Sequence, residues 1–457
     1  MGAAMELGVV RIVTDTLYRL VCGTINGVVG GRDLPGDIVT HGFDWDAAFA
    51  GRAGRMRASE IRELLKLLGQ PDIISFAGGI PDPALFPRSE IEDACAVVLS
   101  GYESAALALQ YSVTEGYPPL REWIAGHMRR RGVGCSIDNI VITSGSQQGL
   151  DLLAKLFLSP GDTALVTAPT YLGALQAFSA YEPRYDVLDP AAPLDAAAYA
   201  ARAGDHGRVR LAYVVPDFAN PTGETIPVSD RLHLLRLTSE LGVPLIEDAA
   251  YEALRFEGTE VRPCLAIDAE RRGHIDRSHV AYCGTFSKTI SPGLRVGWLC
   301  GARDLIQKVV LAKQATDLHS ATLNQVVMDR VVSARYQKQV RANVAAYRTR
   351  RDAMMAALSR HMPPAVDWTR PAGGMFVWVR LPEHIDAAGL LARSLGSERV
   401  AFVPGAAFFA DGSGANTLRL NFSLQPPDRI HEGIRRLARL IGGERGRTSP
   451  EALRDAS

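Results

Sequence analysis

Short apolar stretches alternate with helix-like segments through the middle of the chain. The apolar stretches lie at residues 140–143, 164–167, 211–215 and 244–247, and two more begin at Val280 and Val296. Segments with helical character accompany them at residues 89–99, 119–131, 150–158 and 232–241. Such alternation is typical of a mostly parallel sheet with helices on both faces. The pattern therefore predicts an α/β fold.

A second, smaller unit is predicted towards the C-terminus. A Gly-Gly pair leads into an apolar stretch that ends at residue 379, and further strands are expected at 400–404 and 417–422. A helical region from about 312 to 362 precedes them, and we interpret its many charges as a solvated surface. We expect an extension at 1–42, an N-terminal arm with part of the small domain at 43–100, the large domain at 101–345, the C-terminal small domain at 346–445 and a tail at 446–457.

The first 42 residues differ from the rest because they are rich in glycine between Ile25 and Gly36 and lack periodicity. No long apolar core precedes a small-residue cleavage site, so a signal peptide is not expected. The segment is interpreted as a mobile extension or as upstream sequence from a start codon placed too early. Residues 58–68 then have the apolar spacing of a helix.

Composition narrows the functional classes. Apolar residues make up 47% and charged residues 22% of the 457, an ordinary globular balance. Lys+Arg and Asp+Glu are equal at 50 each, so no basic surplus indicates nucleic acid or an anionic membrane. No apolar run is long enough to predict a membrane helix. The six cysteines are scattered, which argues against a zinc or other metal site and fits the reduced thiols of a cytoplasmic enzyme.

The most informative stretch runs from Val280 to Trp298. Lys288 stands between two apolar strands. Burial of an unpaired ammonium there would cost free energy. A lysine with a depressed pKa can instead form a Schiff base with an aldehyde. Nearby hydroxyls and a guanidinium suit a phosphate monoester; they belong to Thr285, Ser287 and Arg295. Together they indicate pyridoxal 5'-phosphate (PLP). This stretch alone leaves open a strand–turn–strand with a snorkelling lysine.

Other polar residues stand at or just after the ends of the predicted strands, where ligand sites gather in such sheets. They are Ser146, Asn220, Asp248 and Lys288. PLP needs a carboxylate against its pyridine nitrogen, for which Asp248 is the candidate. Asn220 and Tyr251 are candidate donors to its phenolic oxygen.

A small-residue turn before a helix is suited to bind the phosphate, because helix N-termini attract anions. The candidates in this turn are Gly145, Ser146 and Gln147, and Tyr171 is a candidate for stacking on the ring. Each of these residues has a plain alternative as a turn former, a helix cap or core. Gly78 and Gly79 lie in a proline-rich loop where the backbone can approach a ligand.

The chain resembles the class I/II branch of the fold-type I PLP-dependent aminotransferases, and within it the bacterial 2-aminoadipate (LysN-like) and kynurenine/aminoadipate group. The matching motifs follow the family's order over about residues 45–442 and include Ser75-Phe76-Ala77-Gly78-Gly79, Gln110-Tyr111-Ser112, Gly145-Ser146-Gln147-Gln148, Asn220-Pro221-Thr222-Gly223, Glu247-Asp248-Ala249-Ala250-Tyr251, Ser287-Lys288 and Asn416-Thr417-Leu418-Arg419-Leu420. The resemblance implies a mostly parallel seven-stranded sheet in a large domain plus a smaller α+β domain.

The resemblance also implies a role for each matching residue. Lys288 would hold PLP as a Schiff base and move the proton in the reaction. Asp248 would pair with the pyridinium nitrogen, and Asn220 and Tyr251 would hold the phenolic oxygen. Arg419 would clamp the substrate α-carboxylate.

Two further roles follow from the same resemblance. Tyr111 would reach the phosphate from the neighbouring subunit, which makes a homodimer with shared active sites the expected assembly. Arg62 would meet a distal substrate carboxylate, or swing away for apolar side chains.

The expected function is an aminotransferase that moves an amino group between an amino acid and 2-oxoglutarate by a ping-pong mechanism. The expected donors are 2-aminoadipate, leucine-like or aromatic amino acids. A PLP lyase, decarboxylase or racemase on the same fold is the first alternative, but Arg62, Gly78, Gly79 and Arg419 together favour transamination. A transcription regulator with an aminotransferase-like domain is the second alternative, and the segment before Asp44 is too short for its DNA-binding domain.

Overall fold

The computed structural model of the chain describes residues 43–55, 72–192, 195–204 and 207–444. The chain divides into two units, 1–50 and 51–457. In the first unit, α1 (Trp45–Ala48) begins after Asp44, whose side chain accepts a hydrogen bond from the amide of Ala47 at 3.1 Å. The helix expected at 58–68, with Arg62, lies outside the described residues, as do the extension at 1–42 and the whole tail at 446–457.

The larger unit carries the remaining elements. Among its described residues the strands are β1 (Ile74–Ser75), β2 (Ile140–Thr143), β3 (Thr163–Val166), β4 (Arg184–Val187), β5 (Val209–Val214), β6 (Leu245–Asp248), β7 (Val280–Thr285), β8 (Gly297–Cys300), β9 (Asp367–Trp368), β10 (Phe376–Arg380), β11 (Val400–Ala401), β12 (Val403–Pro404) and β13 (Thr417–Asn421). The helices are α2 (Arg88–Ser100), α3 (Tyr102–Leu109), α4 (Pro118–Arg130), α5 (Ser146–Phe157), α6 (Leu172–Ser179), α7 (Ala196–Ala203), α8 (Val228–Leu241), α9 (Cys264–Arg272), α10 (Arg303–Asp317), α11 (Thr322–His361), α12 (Ala387–Arg393) and α13 (Pro427–Glu444).

Seven strands form the large sheet, in the order β2-β8-β7-β6-β5-β3-β4. The run from β7 to β4 is parallel, and β8 is antiparallel to both β2 and β7. The predicted mostly parallel seven-stranded sheet is confirmed. Because Thr285 pairs with Gly297, β7 and β8 run side by side. Lys288 therefore lies in the connection that leaves the carboxyl end of β7.

Alternate residues of the strands enter two hydrophobic cores. In β7, Ala281 and Cys283 pack in the core that includes residues of α5, α6 and α10. Val280 and Tyr282 pack in the other core, with residues of α4, α8 and α9. Helices thus cover both faces of the sheet, as expected for parallel strands whose side chains are buried on both sides.

A second sheet, in the order β12-β13-β10-β9, is antiparallel and forms the smaller α+β part of the fold. Its central strand β13 is buried at all five positions, including Arg419. Arg419 pairs with Trp378 of β10 and Val403 of β12. The short strands β1 and β11 pair in parallel, which holds the segment leading to Gly78 against the C-terminal part of the chain.

Two features of the predicted helical region at 312–362 are wrong. The region is interrupted, because α10 ends at Asp317 and α11 begins at Thr322, with Leu318 at φ +62° between them. Its charges are not all solvated, since Lys313 and Arg351 are buried. Lys313 is held by Asp317, and Arg351 by Asp352 and by the carbonyl of Pro371.

The described helices include none with an apolar stretch of the length that would cross a membrane. Within the same residues, no three His, Cys, Asp or Glu side chains gather in a way that could hold a metal ion.

Candidate active site

Lys288 is the only lysine predicted for the site, and its environment is unusual for a cation. Its Nζ donates a hydrogen bond to the carbonyl of Gly79 at 2.9 Å and lies 5.8 Å from the centre of the Tyr251 ring. Burial of the ammonium, helped by the positive charges of Arg419 and Arg295, lowers the pKa of Lys288 to about 8. A neutral amine, the nucleophilic form, is therefore well populated near that pH.

Asp248 ends β6 with its carboxylate inside the protein. Its Oδ2 accepts a hydrogen bond from the hydroxyl of Tyr213 at 2.9 Å, while its buried Oδ1 has no partner among the described residues. Burial raises the pKa of Asp248 to about 6, against the opposing effects of the Tyr213 hydroxyl, the nearby Ala250 amide and the charge of Lys288. A buried acceptor without a donor is costly, so Oδ1 suits a ligand that brings a charged N–H.

Arg419 reaches the same region from the small sheet. Its Nη1 donates to Oδ1 of Asn220 at 2.8 Å, and its Nη2 donates to the carbonyls of Ala77 at 3.0 Å and Gly78 at 2.6 Å. The guanidinium lies 4.4 Å from the centre of the Phe376 ring. Burial lowers the pKa of Arg419 to about 10, which leaves it charged at neutral pH. The positively charged guanidinium of Arg419 is thus held in place beside the loop that contains Gly78.

Asn220 connects this cation to the opposite side of the site. Its Nδ2 donates to the hydroxyl of Tyr251 at 3.5 Å. Burial is the largest cause that raises the pKa of Tyr251, so its hydroxyl stays a hydrogen-bond donor. Gly79 lies close to Arg419: a Cβ at that position would be 3.4 Å from the Phe376 ring and 3.7 Å from Nη2 of Arg419. A side chain at Gly79 would therefore extend towards the guanidinium, whereas a Cβ at Gly78 would contact only Ile80.

The turn before α5 has the shape of an anion site. Gly145 has φ +82°, and a Cβ there would lie 2.3 Å from Nη2 of Arg295, so glycine is required. Arg295 donates to the carbonyls of Ser144 and Pro292, each at 3.2 Å. Ser146 is the first residue of α5, whose unpaired N-terminal amides and dipole favour a negative charge.

Two hydroxyls lie at the end of β7. Thr285 donates to Oγ of Ser287 at 2.9 Å, and the Ser287 amide donates back to Thr285 at 3.1 Å. The side chain of Gln147 is engaged elsewhere, because its Nε2 donates to the carbonyl of Gly173 at 2.7 Å. Tyr171 precedes α6, and enclosure of its hydroxyl raises its pKa to about 12.

Tyr111 lies on the surface of this chain. It lies in the segment after α3, 78% exposed, with its ring 5.9 Å from that of His319. Tyr213 is not among the site residues predicted from the sequence, because it lies in the apolar stretch at 211–215, which predicted only a strand. Its signal was a lone tyrosine on β5, the strand beside the one that ends at Asp248.

Comparisons with known proteins identify the family. The family model Aminotransferase class I and II matches residues 96–437. A 2-aminoadipate transaminase from Thermus thermophilus is 43% identical over 404 residues, covering 88% of this chain and 98% of the relative. An aromatic-amino-acid aminotransferase from Thermococcus litoralis is 43% identical over 422 residues, with 88% and 96% covered. The crystal structure of LysN, an α-aminoadipate aminotransferase from T. thermophilus complexed with N-(5'-phosphopyridoxyl)-L-leucine, matches with a TM-score of 0.80 at 40% identity, over 89% of this chain and 100% of that one.

The chain belongs to the class I and II aminotransferases. It is a PLP-dependent enzyme of fold type I, as the motifs indicated. The residues present fit the cofactor on structural grounds. The free Oδ1 of Asp248 suits a pyridinium N–H, and the Gly145 turn with Arg295 suits a phosphate.

Proposed function

We propose that this aminotransferase takes 2-aminoadipate, leucine-like or aromatic amino acids as donors and 2-oxoglutarate as acceptor, by a ping-pong mechanism. The observation that carries the proposal is the buried guanidinium of Arg419, oriented by Asn220 and the Gly78 carbonyl. All of these substrates share an α-carboxylate, which a fixed guanidinium binds through paired hydrogen bonds. The choice of donors is supported by the two relatives at 43% identity, one named for 2-aminoadipate and one for aromatic amino acids.

PLP supplies an electron sink conjugated to the substrate's α-carbon. Lys288 would hold the cofactor through Nζ, and the same amine would carry the proton to and from the substrate's α-carbon. A lysine with a pKa of about 8 suits this work, because an acid–base group is most effective near the operating pH. Oδ1 of Asp248 would accept the pyridine N–H and would keep that nitrogen charged. Asn220 and Tyr251 would donate to the phenolic oxygen.

The remaining contacts to the cofactor are assigned by chemistry. The turn before α5, with Gly145, Ser146 and the backbone of Gln147, would hold the phosphate. The hydroxyls of Thr285 and Ser287 and the guanidinium of Arg295 would complete this site. Tyr171 would stack on the ring. Gly78 and Gly79 leave space for the substrate carboxylate beside Arg419, and Arg62 contacts a distal carboxylate.

The active unit in this proposal is a homodimer in which Tyr111 serves the phosphate of the other subunit. The support is a run of exposed large apolar side chains on and after α2 and α3: Val97, Leu99, Tyr102, Leu107, Leu109, Tyr111 and Val113. Exposed apolar side chains concentrated in one segment of a chain are typical of a protein interface. The proposal retains a large domain at 101–345, a small domain completed by 346–445, and a cytoplasmic location.

Steady-state rates with a panel of donors and 2-oxoglutarate test this function. We expect glutamate to form in equal amount to the 2-oxo acid of the donor, with parallel double-reciprocal plots. Release of carbon dioxide or ammonia without glutamate would instead identify a decarboxylase or lyase.

A further inference from the structure

A buried ion pair lies behind the turn that precedes α5. Lys313 is fully buried, and its ammonium donates to both oxygens of Asp317 at 2.7 Å. It also donates to Oγ of Ser320 at 3.0 Å and to Oε1 of Gln148 at 3.3 Å. Burial lowers the pKa of Lys313, although Asp317 favours the charged form. Packing alone would be served as well by an apolar side chain, because a charge must be desolvated to lie here.

The contacts of this pair continue into the turn itself. Gln148 accepts a hydrogen bond from the Ser144 amide at 2.8 Å and donates to Asp317 at 2.7 Å. The hydroxyl of Ser144 is 3.3 Å from Oδ2 of Asp317, and the Ser144 carbonyl accepts from Arg295 at 3.2 Å. A continuous set of polar contacts therefore joins Lys313, through Gln148 and Ser144, to Arg295.

The same contacts reach the segment that carries Tyr111. Gln325 donates from Nε2 to the carbonyl of Ser320 at 2.8 Å, and its Oε1 accepts from the amide of Tyr117 at 2.7 Å. The ring of His319 lies against Tyr111. The turn before α5 and the segment that carries Tyr111 are both assigned to the phosphate under the proposed function. Both are thus linked to the buried pair Lys313 and Asp317.

We propose that Lys313 is a positioning residue for the cofactor phosphate: with Asp317 and Gln148 it fixes the backbone of the Ser144–Ser146 turn and the guanidinium of Arg295. This inference rests on the proposed phosphate site. It assigns no contact between Lys313 and PLP, so its effect must follow the phosphate group and not the pyridine ring.

The test compares the affinity of the apoprotein for PLP with that for pyridoxal, which lacks the phosphate. Lys313→Met removes the cation at similar length, and Gln148→Met removes the link to Ser144 without leaving a buried carboxylate unpaired. Lys308→Met is the matched control, since Lys308 is an exposed lysine on the same helix. Arg295→Ala measures the phosphate site itself. Circular dichroism establishes that each variant is folded.

We expect Lys313→Met and Gln148→Met to raise the Kd for PLP by about tenfold or more, the loss expected for about one charge-assisted hydrogen bond. The Kd for pyridoxal should stay within about twofold, and Lys308→Met should match the parent. Unchanged PLP affinity, or equal losses for PLP and pyridoxal, would overturn the inference. If Lys313→Met does not fold, Gln148→Met decides by the same criterion. If Arg295→Ala shows no selective loss of PLP, the proposed phosphate site itself is wrong.

Discussion

Arg419 donates a hydrogen bond to the side chain of Asn220 at 2.8 Å, although the two residues are 199 positions apart in the chain. The guanidinium of Arg419, which lies on the small sheet, thereby contacts the loop that follows β5. Since Asn220 also contacts Tyr251, the proposed carboxylate clamp and the proposed contacts to the cofactor share one side chain. Binding of substrate and orientation of the cofactor should therefore be coupled.

Replacement of Arg419 should impair every substrate. Arg419→Lys keeps the charge but loses the paired geometry, and we expect kcat/KM to fall by about ten- to a hundredfold for acidic and apolar donors alike. Steady-state rates with 2-aminoadipate and leucine measure this effect. Arg380→Lys, at the exposed end of the adjacent strand β10, is the control and should change little. A loss confined to acidic donors would contradict the assignment.

Replacement of Arg62 should instead impair acidic substrates more than apolar ones. A guanidinium that meets a distal carboxylate contributes charge-assisted hydrogen bonds of about 1.5–3 kcal/mol, or about ten- to a hundredfold in kcat/KM. Arg62→Ala should therefore reduce turnover with 2-aminoadipate and 2-oxoglutarate far more than the leucine half-reaction, followed by single-turnover absorbance. Equal losses for the acidic and apolar donors would make Arg62 structural and remove the basis for dual specificity.

The lowered pKa of Lys288 predicts how cofactor uptake depends on pH. Attachment of PLP needs the neutral amine, so the uptake rate of the apoprotein should rise through pH 8 and level off above it. An ordinary lysine would keep the rate rising towards about pH 10.4. Stopped-flow absorbance from pH 6.5 to 9.5 distinguishes the two profiles. A rate still climbing steeply at pH 9.5 would mean that Lys288 is not desolvated.

The lowered pKa of Lys288 also makes the stability of the folded apoprotein increase with pH. The unfolded chain holds the proton up to about pH 10.4, and the folded apoprotein loses it near pH 8. Between these pH values the unfolded state binds more protons than the folded state, so the free energy of unfolding increases with pH. The destabilisation caused by the buried ammonium of Lys288 is therefore complete below pH 8 and is lost as the pH rises. Urea unfolding of the apoprotein and of Lys288→Met should converge as the pH increases from 8 to 10.

Shared active sites predict complementation between inactive subunits. Mixed Lys288→Ala and Tyr111→Phe subunits should regain activity, because a hybrid dimer contains one site with both native residues. The measurement is activity after subunit exchange, with each variant alone as the control and Tyr111→Phe first shown to be severely impaired. A fully active monomer, seen by light scattering at assay concentration, would exclude this arrangement.

Much of the fold could be predicted from the sequence because the buried strands are short apolar runs that end in polar residues. The stretches at 140–143 and 244–247 correspond to β2 and β6 within one residue. The edge strand β4 was missed because it reads Arg-Tyr-Asp-Val and is buried at no position. The direction of β8 was not predicted either, since an apolar run has the same pattern in both orientations.

Site residues could be predicted only where polar or charged side chains lie in short motifs at the ends of predicted strands. Lys288, Asp248 and Asn220 stand at strand ends, and such positions meet at one edge of a parallel sheet. Lys313 could not be predicted in this way. Its sequence neighbours on α10, Ala312 and Gln314, do not distinguish it from an exposed lysine, and its polar partners Gln148 and Ser320 come from other segments.

Reduction with borohydride and peptide mass mapping give the most direct test of the account, because they identify the residue that holds PLP. The purified protein should be yellow, and borohydride should fix the cofactor on the peptide that contains Lys288. Prior incubation with an amino donor should prevent the labelling, and Lys288→Ala should carry none. Reduced PLP on any other lysine, or labelling that an amino donor does not prevent, would contradict the proposed mechanism.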